Sequence, residues 1–112
     1  MTTLSSANRI RDLNDAMRKA GISSGKWMMT AGVMAQGPDF MLLATRAVQT
    51  FSDFSEDNDP YGEHDFGAFD IAGKRVFWKI DYYDRDLRYG SEDPADPDVT
   101  TRVLTIMLAS EY

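Results

Sequence analysis

Cysteine is absent from this chain of 112 residues, which excludes disulfides, thiolate metal sites and thiol nucleophiles. A reducing compartment suits such a chain, and the cytoplasm is the expected location. Long apolar runs are also missing: none approaches the roughly 20 residues that span a bilayer. The first twelve residues, Met1 to Asp12, lack a basic region leading into an apolar run and a small-residue cleavage site. Neither a secretory signal nor a membrane span is therefore expected, and the reading is a soluble protein. No internal repeat or low-complexity segment occurs. The length suits one domain with a core of its own and no linker. Histidine occurs once, at His64.

Basic residues are outnumbered, 12 Lys and Arg against 18 Asp and Glu, for a net charge of −6. The imbalance is local. Residues 53–98 hold 14 acids and 5 bases, whereas residues 1–52 hold 3 acids and 6 bases. Phosphates are repelled by such a field, so direct nucleic-acid binding is not expected of the second half; a basic protein surface would be attracted.

The apolar pattern predicts a small α+β domain. Ile10, Leu13 and Met17 recur at helical spacing, with Arg9, Arg11, Asp12, Asp15, Arg18 and Lys19 on the other faces. Ser5 or Ser6 can cap that helix and Gly21 can end it. Lys26 to Met34 is apolar and too short for a lone helix, so it reads as a strand, with Gly32 marking a bulge or early end. Pro38 suits a first helical position and Asp39 the first turn, opening a second helix that runs to about Thr50. Gly67–Ile71 and Lys74–Asp84 flank Ala72-Gly73 as a hairpin, in which Val76, Trp78, Ile80 and Tyr82 alternate with polar residues. Asp84 to Pro97 reads as a loop. Asp96 and Pro97 then open a last helix with Val99, Val103, Ile106 and Met107 facing inward. The expected order is α-β-α-β-β-α: a three-stranded, mainly antiparallel sheet with helices on one face and Phe77 and Tyr83 on the other.

Chemistry-bearing residues concentrate between Phe51 and Gly67, where acids, Asn58, Pro60, Gly62 and His64 crowd together. Carboxylates at Asp59, Glu63 and Asp65 would favour the protonated imidazole and suit His64 to acid or base work. Against that, a histidine in a polar loop commonly just ties the loop. Asp57-Asn58-Asp59 begins like a calcium loop, yet position twelve, where a bidentate acid belongs, is Ala68. No metal site is expected, and no cofactor, since no such motif is complete. Phe66, Phe69, Phe77, Trp78, Tyr82 and Tyr83 read as strand core before they read as a stacking platform, because acids surround them. Arg85 and Arg88 could clamp an anion but more simply answer local carboxylates, and Lys79 and Asp81 share a strand face.

Three stretches carry a resemblance: Asp57 to Gly67, Phe77 to Leu87, and Pro94 to Pro97 followed by Arg102 to Leu108. Together they are similar to a family of short bacterial proteins of unknown function. The resemblance implies company with the accessory genes of plasmids and other mobile elements, where anti-restriction and anti-CRISPR proteins also occur. It brings no activity to any residue.

The leading expectation is a non-enzymatic interaction protein, an inhibitor of a host nucleic-acid-directed defence complex that acts by nucleic-acid mimicry. Glu56, Asp57, Asp59, Glu63, Asp84, Asp86, Glu92 and Asp93 would stand in for phosphates. The alternative is a small enzyme or ligand-binding protein, with His64 as acid or base, Asp65 or Glu63 as its orienter and Asp59 as a further ligand. A homodimer through the open sheet face is the remaining option.

Overall fold

The computed structural model describes residues 6–112, so the expected cap at Ser5 lies outside them. Helix α1, Ser6–Ala20, buries Ile10, Asn14, Met17 and Arg18. It stops at Gly21, whose φ of 87° few other residues tolerate. Arg18 therefore departs from the exposed placement that the apolar stripe suggested.

The strand expected over residues 26–34 is shorter. Strand β1, Lys26–Met29, gives way to a single helical turn, α2, Ala31–Met34. Glu111 explains the change: its carboxylate accepts from the Thr30 hydroxyl at 2.6 Å and from Gly32 N–H at 2.9 Å, satisfying donors at the start of the turn. Helix α3, Pro38–Thr50, forms as expected, with Phe40, Ala44 and Val48 buried. Strands β2, Phe66–Ile71, and β3, Lys74–Tyr83, make the hairpin. Ala72 and Gly73 both lie at positive φ, 52° and 76°, as the two-residue turn matching strand twist requires.

The final helix is replaced by strand β4, Thr101–Leu108. Val103, Ile106 and Met107 mimic a helical stripe, but β4 is an interior strand. Leu104 and Ile106 face the helices, while Val103 and Met107 are buried on the opposite face. An interior strand with buried residues on both faces shows a near-continuous apolar run, which periodicity alone cannot separate from a helix. β-branched Thr100, Thr101, Val103, Thr105 and Ile106 favour the extended form.

The sheet accordingly has four strands in the order β1-β4-β3-β2 instead of three, and it is mixed, with β1 parallel to β4 and the other neighbours antiparallel. The α+β class holds. Met17, Val33, Phe40, Ala44 and Val48 from the three helices join Val76, Trp78, Ile80, Leu104 and Ile106 in one core. Each large apolar side chain so buried stabilises the fold by about 1.5–3 kcal/mol. Among the described residues no helix is long and apolar enough to cross a membrane.

Candidate functional site

Strand register decides where the acids gather. Ile80 N–H donates to Asp65 O at 2.8 Å, and Tyr83 pairs with Thr101. Segments 52–65 and 84–100 therefore both join the sheet at the end where β2 and β4 begin and β3 finishes. Between them they hold twelve acids and two arginines, a net charge of −10, which leaves +4 on all other residues. The chain is strongly polarised, with its negative charge at one end.

Both segments are shaped from within. Asn58 accepts from Ser55 N–H at 2.8 Å and donates to Asp53 O at 3.0 Å. The Asp59 carboxylate accepts from the backbone N–H groups of Glu63 and His64, at 3.1 and 3.2 Å. In the second segment, Asp84, Asp93 and Asp96 accept from the N–H groups of Arg88, Ala95 and Asp98. Such side-chain turns hold a loop without regular structure.

Helix α1 straps the two segments together. Buried Asn14 donates to Glu63 O at 3.0 Å and to the Tyr82 hydroxyl at 2.8 Å, and its oxygen accepts from Arg102 Nε at 2.7 Å. Arg102 Nη2 donates to Pro94 O, and Arg9 Nε to Ala95 O at 2.7 Å. One amide side chain thus links the first acidic segment to the sheet, and Arg102 carries the link on to the second segment. The Tyr82 hydroxyl stands 3.3 Å from both a Glu63 and an Asp65 carboxylate oxygen. Burial first, and then the neighbouring acids, push both carboxyls above their ordinary range. Burial also pushes the Tyr82 phenol far up, so it stays a proton donor.

His64 is held at φ 56°. Its Nδ1 lies 2.9 Å from an Asp15 oxygen, its Nε2 lies 3.7 Å from Asp59, and its ring stacks on Phe54 with centroids 3.8 Å apart and planes 1° from parallel. The carboxylate that meets the ring is thus Asp15 of α1, while Glu63 and Asp65 turn to Tyr82. Both ring nitrogens face acids, so the ring ties α1 to the loop. Burial raises Asp15, but bonds from Arg18 and His64 outweigh it and hold the carboxyl below its usual range. Arg18 itself is 2% exposed and donates to Val48 O, Phe51 O and Asp15.

Of the acids singled out in the sequence, Glu56, Asp57, Asp86, Glu92 and Asp93 are exposed and Asp84 is partly so. Asp59 is buried and Glu63 is engaged by Tyr82. Exposed Tyr61 and Tyr89 stand in the same segments, 79% and 75% accessible. The side chains of Arg85 and Arg88 make no hydrogen bond or ion pair among the described residues, so they do not answer the local carboxylates. Lys79 pairs with Asp81 on its own strand at 3.0 Å. Among the described residues no three acid or imidazole groups gather in a way that would hold a metal ion. Asn14, Asp15, Arg18 and Arg102 escaped sequence reasoning. The one signal for Asn14 and Arg18 is their position four and eight residues after Ile10, inside the buried stripe.

The sheet face away from the helices carries Met28, Phe66, Phe77, Val103 and Met107, with the Lys79–Asp81 pair among them. Tyr112 rests edge-on against Phe77, with centroids 5.6 Å apart.

A family model described as a protein of unknown function, DUF3768, matches residues 29–111. The chain belongs to the DUF3768 family. The matched span takes in both acidic segments of this DUF3768 chain, His64, Tyr82 and Arg102, while Asn14, Asp15 and Arg18 lie before it. No curated protein and no solved structure matches the chain.

Proposed function

We propose that this DUF3768 chain is a non-enzymatic interaction module whose acidic end docks on a basic protein surface. The observation that supports it is the convergence of two internally braced segments, net −10, at one end of a rigid sheet. Glu56, Asp57, Asp84, Asp86, Glu92 and Asp93 supply the negative surface; Tyr61 and Tyr89 supply aromatic contacts of the kind enriched where binding energy concentrates. Asp59 and Glu63 act behind them, holding the loop. A groove that grips nucleic-acid phosphates is the natural counterpart, so the proposed partner is a nucleic-acid-directed defence complex in the bacterial cytoplasm, inhibited in the anti-CRISPR or anti-restriction manner. The resemblance to accessory proteins of mobile elements points the same way. Free nucleic acid is repelled by this end and is not the ligand.

The test is capture of host proteins on the tagged chain at low and high salt, with Glu56→Lys, Asp57→Lys, Asp86→Lys and Glu92→Lys combined as the control. A genuine partner is retained at low salt, released by high salt, lost with the charge-reversed variant, and displaced by its own nucleic acid. Retention unchanged by charge reversal refutes the reading.

The open sheet face supports a second association. Lys79 and Asp81 lie two residues apart amid apolar side chains, so two copies related by a two-fold axis would exchange ion pairs there. Sedimentation equilibrium of the chain and of Phe77→Glu distinguishes a homodimer from a monomer.

A further inference from the structure

A cleft of about 440 Å³ opens between α1, the start of β1 and the start of β4. Leu13 and Met17 form its apolar part, and Lys26, Arg85 and Arg102 bring three cations to it, with no acid on its lining. The concentration is unexpected in a chain of net charge −6. Neither the Lys26 nor the Arg85 side chain has a hydrogen bond or ion pair among the described residues. Arg102 is the sharper case. Its guanidinium is held by a neutral amide oxygen and a backbone carbonyl, from Asn14 and Pro94, and no carboxylate bonds it. Arg102 is half-buried, and a guanidinium drawn partly out of water gains from a paired anion. Burial lowers the ease with which Arg102 keeps its proton, and the nearby Tyr82 and Glu63 offset only part of that.

We propose that this cleft binds a small organic carboxylate with an apolar body, its head group between Lys26, Arg85 and Arg102 and its body against Leu13 and Met17. A volume of this size falls within the range of small-molecule sites. The choice of a monoanion follows from the surroundings: Asp84, Glu92 and Asp98 line a neighbouring depression that also includes Arg85. A polyanion such as a phosphate ester or a nucleic acid would meet those acids, whereas one carboxylate engages the cations alone and takes the rest of its affinity from apolar burial. The site is independent of docking by the acidic end, and its failure leaves that reading intact.

The experiment is titration of the full isotope-labelled chain with octanoate, octanol and inorganic phosphate, followed by amide and methyl NMR shifts. Octanoate is expected to move Leu13, Met17, Lys26 and Thr101 saturably, octanol to bind about tenfold more weakly or not at all, and phosphate to leave the methyl groups unmoved. Lys26→Gln combined with Arg85→Gln changes two exposed side chains, so the fold is retained, and it should weaken octanoate about tenfold. Equal affinity for octanoate and octanol, retention of octanoate binding by the double variant, or no saturable shift at millimolar octanoate would each overturn the proposal.

Discussion

Arg18→Met tests whether the buried guanidinium is a structural keystone of the acidic end. Methionine keeps the length and much of the volume of the stem but donates nothing. Val48 O and Phe51 O would lose donors now at 2.8 and 2.7 Å, and Asp15 would lose one at 2.9 Å. Val48 O retains the Phe51 N–H at 3.3 Å, so its loss is partial. Cation–π contacts with Phe54 and Trp78, each 5.4 Å from the guanidinium carbon, disappear as well. An acceptor left unpaired costs about 1–3 kcal/mol, and breaking a buried pair from one side costs about 3–5 kcal/mol. Release of the guanidinium from its own desolvation offsets part of this. A net loss of about 3 kcal/mol follows, a large share of the roughly 5–15 kcal/mol that stabilises a domain. Urea unfolding followed by tryptophan fluorescence measures it, since Trp78 sits beside the altered group. With a slope of about 1–3 kcal/mol per molar, the midpoint should fall by at least about 1 M. Because Phe51 O marks the entry to the first acidic segment, amide exchange in residues 52–65 should also accelerate. A variant within about 0.5 kcal/mol of the parent, with exchange unchanged, would refute the reasoning.

Four further outcomes are expected. At Gly67→Ala, the added Cβ would stand 2.7 Å from Trp78 Cε2 and 2.9 Å from Phe51 Cε2, so overpacking should cost about 1–3 kcal/mol in the same urea assay. Ala72→Asn places at φ 52° a residue that tolerates the left-handed region and suits this turn, and should raise stability by about 0.5–1 kcal/mol with no change in structure. At Asp65 the folded carboxyl is raised from its unfolded value, mainly by burial, so the fold binds that proton more tightly and its ionisation opposes folding above the folded pKa. Asp65→Asn should therefore be the more stable protein at pH 7, and its advantage should shrink as pH falls through that raised pKa; an advantage that grows toward acid would contradict the assignment. Asp15 carries the opposite sign. Its lowered carboxyl contributes stability above its unfolded value, near pH 3.8, that is lost as pH falls below it, and Asp15→Asn should flatten that part of the profile.

Local chemistry made several elements readable before any coordinates. Gly37 and Pro38 announced α3, Gly21 the end of α1, and Ala72-Gly73 with the alternation from Val76 to Tyr82 announced the hairpin. These signals act over a few residues and survive any tertiary context. The segment from Thr101 to Leu108 failed for the complementary reason. Its state depends on β1 and β3 flanking it, which nothing in eight residues reveals. Thr30 and Gly32 failed likewise, because the carboxylate that stops β1 and caps α2 comes from Glu111, some 80 residues away in sequence.

The acidic end was half legible for the same physical reason. Composition revealed the charge, and the hairpin implied that both acidic segments meet at one end, because β3 must finish where β2 begins. What braces them came from elsewhere. Asn14 sits where an apolar residue would complete the stripe of α1, and its partners Glu63, Tyr82 and Arg102 are 49, 68 and 88 residues away. His64 drew notice for the acids beside it in sequence, yet the backbone turns at φ 56° and hands its ring to Asp15 and Phe54. Neighbours in sequence raise the local field, but bonding partners are chosen by the fold. That distinction sorts the acids themselves: Asp59, which ties its own loop through the Glu63 and His64 N–H groups, and Glu63 and Asp65, which Tyr82 of β3 engages, hold the surface, while Glu56, Asp57, Asp86 and Glu92, which form no side-chain bond among the described residues, are left to meet whatever approaches it.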